Sequence, residues 1–592
     1  MWTPFFPSTA SVPICFLLIE QKSRELFFKH LQIHRQENGS PKMALLLHVF
    51  FYAFVAACVL RYFIMRVRIR STEMYVQRRK KAVEAYEQLH KLSSRQATLE
   101  REDDDHVAET DAPTDLLSKE PLFVVFLHPE LGIGGAERLI VDAAVGLMKC
   151  QSIRLVEVII VTNHHDCNRA FKETTDGTLR IVVQGSMLPA TIFGRGKALC
   201  SMMRMCFAAI ATCWSFPNAD CFIIDQVAVA MPVLNFFASR TPLLFYNHFP
   251  DKLCDANRNF DGTFKKRGSP LYPFQKIYRV FFDKVEAFAM NYATSIVCNS
   301  KYSRQVTIDT FPKLADKIHE TTDIFYPPVE MKVHEVTEGA LSASEALREL
   351  KEIVSGAVTF VSINRYERVK NIQLAIEAFA LLLSMDEFKS TKDKKPLMLI
   401  IAGGYDPRSE ENVRYADELM SLATRTLHIP AFQVRFLKNI NDDEKTVLLS
   451  EMRALVYTPS REHFGIAPVE AMAYSKPVVA IASGGPLESV GSVELEDSSK
   501  CGGLLSSPKP MEFAQKMACF ARDPVYAAKV GAQGRARVLE RFSKESFSTQ
   551  LVTRLVHLRS RADERLLAEG IESVQPEAAS KVDKSPQNAQ NG

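Results

Sequence analysis

Apolar runs of strand length alternate with segments of helical length through most of the chain after residue 120. The first run, LFVVFLH (122–128), leads through the glycine-rich stretch GIGGAER into apolar positions at helical spacing between Ala136 and Leu147. A strand, a glycine loop and a helix in this order begin a βαβ unit. The alternation continues with a helical segment over 274–292 and with buried-strand candidates that read LVEVIIVTN, LRIVV, CFIID, PLLFYNH and TSIVCNS.

A second alternation begins beyond a segment rich in Glu, Ala and Ser at 338–355. It ends in a helical stretch over 510–566, and its strand candidates read AVTFVSI, PLMLIIAGG, FQVRFL, RALVYTPS and KPVVAIAS. We therefore predict an α/β chain with two tandem Rossmann-like domains, each built on a parallel sheet. The predicted domains are 121–345 and 346–566, with the closing helices in the second, and the polar tail 567–592 is predicted to be disordered.

An apolar segment precedes these domains. Residues 43–60 form an 18-residue run without charge, and the apolar character continues to Met65. That length spans a bilayer, and RVRIR follows at once, so we predict a single membrane anchor at 43–65 rather than a core helix or a cleaved signal peptide. The basic residues then place the chain beyond residue 66 in the cytosol. Lys and Arg in the extension 1–42 oppose this charge asymmetry, and a start at Met43 would remove the conflict.

The segment 66–120 changes from basic to acidic composition. It contains Asp103 and Asp105 in a D-x-D arrangement, which binds a metal and a nucleotide-sugar diphosphate in some sugar-transferring enzymes. No apolar strand precedes this pair, and a block of like charge is usually a solvated linker. We therefore interpret 66–120 as a spacer.

The composition narrows the function classes. A chain of 592 residues is long enough for at least two domains. Its net charge of +4 is too small to indicate a nucleic-acid partner. Its twelve cysteines form no CxxC motif or Cys/His cluster, which predicts reduced, mostly buried thiols and no zinc site.

The residues with chemical potential follow predicted strands, where parallel sheets bind ligands. The loop NRYERVKN brings Arg365, Arg368 and Lys370 together, and we expect Asn371 to cap the next helix. A helix N-terminus flanked by cations is an anion site that fits a nucleotide diphosphate. Taken alone, this loop could equally be a solvated basic turn.

Two glycine-rich loops, GIGGAER and SGGPLES, lie at equivalent strand ends in the two domains. Gly132, Gly134 and Gly135 permit close approach of the backbone to a phosphate, although one such loop could be an ordinary turn. Together with the basic loop, they indicate that the two domains face a shared cleft.

The stretch REHFGIAPVEAM (461–472) carries Glu462 and Glu470, separated by seven residues. Glu470 follows Pro468, so it could be an acid favoured by a helix N-terminus, and Glu462 could be a solvated loop charge. Paired carboxylates also serve glycoside hydrolases. The basic and glycine-rich loops argue against hydrolysis, because a hydrolase has no diphosphate to hold.

These motifs resemble glycosyltransferase family 4, whose members are retaining enzymes of the two-domain GT-B fold. The resemblance covers about 121–560, and the long start 1–120 departs from the family's shorter start. Several segments are similar, more narrowly, to the eukaryotic dolichol-pathway mannosyltransferases that add the second and third mannoses, by α-1,3 and then α-1,6 linkage. Those segments read HPELGIGGAERLIVDAA, LPATIFGRGKALC, FYNHFPDKL, SINRYERVKNI, AGGYDPR and YTPSREHFGIAPVEAM.

The resemblance implies roles for the acids and for one histidine. It implies that Glu462 faces the donor sugar and that Glu470 binds the ribose of the nucleotide. His248, at the end of PLLFYNH, matches a family histidine that reaches the donor sugar from the first, acceptor-side domain. A histidine at a strand end could instead be structural.

The resemblance also implies how the donor diphosphate is held. Arg365 and Lys370 match the pair that neutralises it, so the charge of the leaving nucleotide needs no metal ion and the enzyme no cofactor. Gly134 and Gly135 match a loop whose amides approach the donor phosphate and the acceptor.

The implied activity is a membrane-anchored, metal-independent retaining mannosyltransferase. Its implied donor is GDP-mannose, its acceptor a dolichyl-diphosphate-linked oligosaccharide, and its place the cytosolic face of the endoplasmic reticulum membrane. Other mannosyltransferases of the dolichol pathway are further candidate partners. Another lipid-acceptor member of the family and a non-catalytic scaffold remain alternatives.

Overall fold

The structure, a computed structural model, describes residues 52–79 (without 54 and 58), 122–150, 156–192, 196–254, 272–319, 323–331, 336–389, 395–491 and 500–568. The chain divides into two compact units, residues 1–69 and residues 70–592. In the first unit, the described residues are helical. The extension 1–42, the first part of the predicted anchor, the acidic spacer with Asp103 and Asp105, and the polar tail lie outside the described residues.

Two six-stranded sheets, both parallel, form the second unit. The first has the order β3-β2-β1-β4-β5-β6 and the second the order β12-β11-β10-β7-β8-β9. The predicted strands correspond to β1 to β11, whereas β12 was not predicted. The strands are β1 Leu122–His128, β2 Val156–Thr162, β3 Arg180–Val183, β4 Cys221–Asp225, β5 Leu243–Asn247, β6 Ser295–Cys298, β7 Val358–Ile363, β8 Leu397–Gly403, β9 Val434–Lys438, β10 Ala454–Tyr457, β11 Val478–Ile481 and β12 Gly503–Ser506.

Helices connect the strands and cover both faces of the sheets. Short 3-10 or π turns lie at Cys167–Arg169, Lys172–Thr174, Pro312–Lys317, Arg368–Lys370 and Leu422–Thr426. The α-helices are Gly135–Lys149, Lys197–Ser215, Ala230–Phe237, Asp251–Cys254, Tyr272–Met290, Lys301–Thr310, Glu338–Ala343, Glu345–Gly356, Ile372–Ser384, Asp386–Lys389, Glu410–Ser421, Asp442–Glu451, Ile466–Ala473, Pro486–Ser489, Pro510–Arg522, Pro524–Arg541 and Lys544–Ala568.

The cores explain why the inner strands are largely apolar. Every residue of β1 and of β8 is buried, as expected where helices cover both faces of a parallel sheet. The final helix differs from the sequence-based expectation. We expected it to close the second domain, but Phe547, Leu551 and Leu555 are part of the core of the first sheet. Its apolar stripe therefore finds its partner across the domain boundary.

Among the described residues, the helix Lys197–Ser215 has the length and apolar composition to cross a membrane. It lies between β3 and β4 and packs against the first sheet, so it serves as a crossover helix of that domain. The predicted anchor at 43–65 is a different segment and stays a prediction.

Residues 70–79 are helical and dock on the first domain and on the final helix. Arg79 is 1% exposed, and its guanidinium donates to both carboxylate oxygens of Asp563 at 2.7 and 2.6 Å. Asp220 accepts hydrogen bonds from Arg79 and from Arg78. A bidentate pair of this kind fixes both position and orientation. Arg78 and Arg79, in the segment interpreted as a spacer, therefore stabilise the fold.

In the first sheet the strand order reverses between β1 and β4, and in the second sheet it reverses between β10 and β7. Loops that follow strands at such a reversal diverge and leave a crevice, which is where open α/β sheets bind ligands. The predicted site residues follow these strands or their neighbours, so the topology directs them toward one region.

Candidate active site

A cavity of about 450 Å³ lies between the two domains. Five of the predicted site residues line it. Gly135 and His248 come from the first domain, and Arg365, Lys370 and Glu462 come from the second. Residues that are as much as 327 positions apart in the sequence thus face one space, because both sheets present their carboxyl ends to it.

An ion pair between Lys370 and Glu462 is at the centre of this cavity's polar wall. The Lys370 Nζ lies 2.5 Å from the Glu462 Oε2, and both side chains are less than a fifth exposed. Burial alone would raise the pKa of Glu462, but the charge and hydrogen bond of Lys370 and a hydrogen bond from the Tyr457 hydroxyl hold it below its ordinary value. Glu462 is therefore an ionised carboxylate at neutral pH.

The three cations of the basic loop point to different partners. Arg365 lines the cavity, is 67% exposed and pairs with Glu367 at 2.7 Å. Arg368 instead pairs with Glu418 at 2.6 Å and lies over the Tyr415 ring, so it belongs to the outer surface of the second domain. Only two of the three cations are thus available to an anion in the cavity.

Asn371 occupies the N-cap position of the helix Ile372–Ser384, but not as predicted. Its backbone is left-handed, with φ of 48°, and in the described structure its side chain makes no capping hydrogen bond. Asparagine tolerates this conformation better than most residues, so its contribution is to the turn rather than to the cap. The first amides of this helix are correspondingly free of a side-chain acceptor from Asn371.

His248 is held by a buried carboxylate. Asp225, the last residue of β4, lies 2.8 Å from the His128 Nδ1 with one oxygen and 3.2 Å from the His248 Nε2 with the other. Although burial would raise the pKa of Asp225, the two imidazoles lower it, and despite its own burial His128 has a raised pKa because of Asp225. An ionised carboxylate only accepts, so both rings must donate to it. This assigns the proton of neutral His248 to Nε2 and leaves Nδ1 as an acceptor.

Glu470 lines a second cavity, of about 630 Å³, which adjoins the first at Gly135 and Ile466. Its Oε1 accepts a hydrogen bond from the Lys445 Nζ at 2.6 Å. The helix begins at Ile466, after Gly465 in a left-handed conformation, so Glu470 lies beyond the first turn and not at the helix N-terminus. Its position is set by Lys445 rather than by the helix N-terminus.

The two glycine-rich loops have different surroundings. Gly135 lines both cavities, whereas Gly134 is the N-cap of the helix Gly135–Lys149 and is not among the lining residues. The loop SGGPLES, at 483–489, was expected to face the same cleft. It lies instead behind Glu462, where a Cβ on Gly484 would come within 2.7 Å of the Glu462 carbonyl oxygen.

The two acids of the E-x7-E pair therefore act separately. Glu462 pairs with Lys370 in one cavity and Glu470 pairs with Lys445 in the other. The two cavities share Gly135 and Ile466, so a long ligand could contact one acid in each cavity.

Comparisons with known proteins agree with this geometry. Residues 344–537 match the family model "Glycosyl transferases group 1". The chain is 37% identical over 466 residues to the alpha-1,3/1,6-mannosyltransferase ALG2 of Rhizomucor pusillus, covering 75% of this chain and 93% of that protein. It is 36% identical over 441 residues to the human protein of the same name, covering 73% and 96% respectively. The chain belongs to the ALG2 family of alpha-1,3/1,6-mannosyltransferases.

Solved structures add the fold of the mannosyltransferase. Sucrose-phosphate synthase from Thermosynechococcus elongatus superposes with a TM-score of 0.54 at 17% identity, over 76% of this chain and all of that one. Anabaena HepE in complex with UDP and glucose gives 0.50 at 19% identity, over 74% and 100%. At such identities the likeness concerns the fold alone. The expected GT-B-like architecture and the expected glycosyltransferase class are both confirmed.

Several residues of the mannosyltransferase site were missed by sequence analysis. Asp225 ends the strand candidate CFIID, and His128 ends LFVVFLH. A charged or ionisable residue that closes an otherwise apolar strand was the available signal. Tyr457 and Lys445 gave no such signal, since one is an ordinary strand aromatic and the other a helix-surface lysine.

Metal binding stays open for the mannosyltransferase. Within the described ranges, no group of three or more His, Cys, Asp or Glu side chains is arranged to hold a metal ion. Asp103 and Asp105 lie outside those ranges. Independence from a metal therefore stays a prediction.

His463 gives a prediction for the pH dependence of stability. Its ring stacks on Phe249 at 3.8 Å, and burial lowers its pKa from 6.5 to about 4. Between these pH values the unfolded chain binds a proton that the folded chain does not, so the free energy of unfolding must fall as the pH drops from about 6.5 toward about 4. A shift of this size corresponds to about 3 kcal/mol.

Denaturant unfolding of the wild type and of His463→Phe over this pH range measures the effect. Phenylalanine keeps the ring contact with Phe249 but cannot bind the proton. We expect the variant to lose less stability on acidification than the wild type. An identical pH dependence in the two proteins would contradict the assignment.

Proposed function

We propose that this mannosyltransferase transfers mannose from GDP-mannose to a dolichyl-diphosphate-linked oligosaccharide, with retention at the anomeric carbon. The observation that carries the proposal is the Lys370–Glu462 pair in a cavity that His248 lines from the opposite domain. In this cavity a cation that can bind a diphosphate lies next to a carboxylate that can bind sugar hydroxyls. The names of the relatives give both an α-1,3 and an α-1,6 linkage for those proteins. For this chain the proposed order is the α-1,3 linkage first and the α-1,6 linkage second.

Arg365 and Lys370 would hold the donor diphosphate. Lys370 carries three N–H donors, so it can bind Glu462 and a phosphate oxygen at once. Arg365, in the loop after β7, lines the same cavity and adds a second positive charge. Negative charge that develops on the leaving nucleotide is stabilised by these preorganised groups.

Glu462 and His248 would orient the mannose. An ionised carboxylate accepts hydrogen bonds from sugar hydroxyls, and the Nδ1 of His248, with Nε2 engaged by Asp225, accepts another. The two residues come from different domains, so they address the sugar from two sides. Asp225 fixes the tautomer that this role requires.

The second cavity fits the nucleoside of the donor. Glu470, positioned by Lys445, can accept from ribose hydroxyls. Asp442 and Asp443 line the same cavity. Guanine presents an N1–H and an amino group as neighbouring donors, which a carboxylate accepts in a bidentate manner. Uracil lacks that pair of donors, so these acids favour guanine.

An apolar surface of the first domain supports a lipid-linked acceptor. Ile277, Phe281 and Phe288 follow one stripe of the helix Tyr272–Met290 and are 56 to 69% exposed. Leu199, on the neighbouring helix, donates its backbone N–H to the Tyr278 hydroxyl, which joins the two helices. Further exposed apolar side chains on that second helix are Met203, Phe207 and Trp214. Exposed apolar patches of this kind mark interaction sites, and a dolichyl chain in a bilayer is the matching partner.

We further propose that the domains face the cytosol from the endoplasmic reticulum membrane, anchored at 43–65. The apolar run is long enough to span a bilayer, and Arg66, Arg68 and Arg70 follow it. The only N-x-S/T site in the sequence, Asn38-Gly39-Ser40, precedes the run. A chain whose domains never enter the lumen has no need of such sites.

Charge removal in the basic loop tests the donor site. Lys370→Ala and Arg365→Ala should each reduce transfer from labelled GDP-mannose by about 10²–10³-fold, because one preorganised donor to a developing anion is worth about 2.7–4 kcal/mol. Arg368→Ala is the matched control, since it removes a cation from the same loop that pairs with Glu418 outside the cavity.

The assay uses purified full-length protein, a lipid-linked mannosyl-chitobiose acceptor and thermal unfolding to confirm that each variant folds. We expect Arg368→Ala to transfer like the wild type. Wild-type rates in folded Lys370→Ala and Arg365→Ala would remove the proposed donor site. Transfer by the wild type from UDP-glucose, but not from GDP-mannose, would overturn the proposed donor.

Orientation in the membrane has a separate test. Protease added to sealed microsomes should digest the domains beyond residue 82 without detergent, because a single span with basic residues on its cytosolic side exposes them. A luminal protein in the same vesicles must stay intact as the control for sealing. Protection of the domains until detergent is added would contradict a cytosolic orientation and access to a cytosolic nucleotide sugar.

A further inference from the structure

Glu488 joins the two domains by hydrogen bonds to a helix start. It belongs to the SGGPLES loop of the second domain, and its carboxylate accepts from the backbone N–H groups of Lys301 and Tyr302 at 2.8 Å each. These are the first two residues of the helix Lys301–Thr310 in the first domain. The Tyr326 hydroxyl adds a third hydrogen bond at 3.1 Å. One side chain thus satisfies amides that a helix N-terminus leaves without partners.

A second contact crosses the domain boundary beside the first. Ser300, the N-cap of the same helix, donates its hydroxyl to the His463 carbonyl oxygen at 2.6 Å and accepts from the Ser303 amide. Phe249, which follows His248, stacks on the His463 ring with an interplanar angle of 10°. The neighbours of His248 and Glu462 in the sequence are therefore in direct contact with each other.

The glycines of SGGPLES connect Glu488 to the loop that carries Glu462. The Gly485 amide donates to the Glu462 carbonyl at 2.8 Å. A Cβ on Gly485 would lie 2.3 Å from the Phe464 Cα, so the two backbones touch with no room for a side chain. A displacement of Glu488 would therefore be passed on to the Glu462 loop.

We infer that Glu488 is a positioning residue that holds the two domains at the separation at which His248 and Glu462 address the same donor sugar. The inference rests on the proposed donor site, because it assumes that both residues contact that sugar. Glu488 is not among the residues that line either cavity, and it acts through the helix Lys301–Thr310 and the Glu462 loop.

A carboxylate suits this task for two reasons. Its two oxygens match two adjacent N–H donors, and its negative charge is favoured at the positive end of a helix. Burial raises the pKa of Glu488, although the amide and Tyr326 hydrogen bonds oppose this. Glutamine has nearly the same shape but turns an amino group toward one of the amides, so a donor faces a donor and the bidentate contact is lost.

Glu488→Gln in the full-length protein tests the inference with three readouts. Transfer from GDP-mannose should fall about 10- to 100-fold, since a misplacement near 1 Å has effects of this order. The dissociation constant for GDP alone should change much less than the transfer rate, because the predicted side-chain ligands of the diphosphate and ribose, Arg365, Lys370 and Glu470, all belong to the second domain. Small-angle X-ray scattering with saturating GDP should give a larger radius of gyration than for the wild type.

Glu387→Gln is the matched control, because Glu387 binds Arg522 in a bidentate manner within the second domain. It should leave transfer unchanged, and an equal loss there would overturn a specific role for Glu488. Wild-type transfer or wild-type scattering in Glu488→Gln would also overturn the inference. A loss of GDP affinity as large as the loss of transfer would also overturn the inference, because it would show that the substitution disturbs the donor-binding loop itself.

Tyr326→Phe keeps the test valid if Glu488→Gln does not fold. It deletes only the third hydrogen bond and keeps the ring against Phe464. We expect a smaller loss of transfer in the same direction, and unchanged transfer in this variant would count against the inference. If the wild type itself fails to use GDP-mannose, the proposed donor is wrong, whereas the scattering comparison still reports on domain separation.

Discussion

The ion pair of Lys370 and Glu462 is the constraint on which the site depends. It joins the turn after β7 to the loop after β10, two strands that pair in the second sheet. Both side chains are mostly buried, and either charge without the other would be costly in that position. The pair therefore fixes the end of the sheet where a donor diphosphate and a donor sugar would meet, and the first domain completes the site with His248.

Much of the fold followed from hydrophobic pattern alone. Strands β1 to β11 are short apolar runs between helical segments, and inner strands such as β1 and β8 are continuously apolar because both of their faces are buried. Strand β12, GLLS, was not predicted because four residues that include a glycine show no hydrophobic periodicity. The final helix was assigned to the wrong core because an amphipathic stripe shows that a helix is buried but not against which sheet.

Site residues could be predicted from the sequence where a recognisable motif follows a strand of a parallel sheet. Residues that act on the site through another residue could not be predicted in this way. Arg365, Lys370 and Glu462 stand in loops that any parallel sheet turns toward its ligand. The sequence does not show that Asp225 contacts His248 or that Glu488 contacts the start of the helix Lys301–Thr310, because these partners are brought together only by the fold. The glycines of SGGPLES show the same limit, since sequence cannot distinguish room for a phosphate from room for a neighbouring backbone.

In the proposed site Glu462 binds the donor sugar, whereas Lys370 binds the donor diphosphate. The affinity of Glu462→Gln for GDP, measured by titration calorimetry beside its transfer rate, tests this most directly. The variant removes a negative charge beside the diphosphate and leaves Lys370 in place. We predict GDP affinity equal to or higher than that of the wild type, with transfer reduced by at least about 100-fold. A parallel loss of GDP affinity and transfer, or transfer at the wild-type rate, would contradict the account.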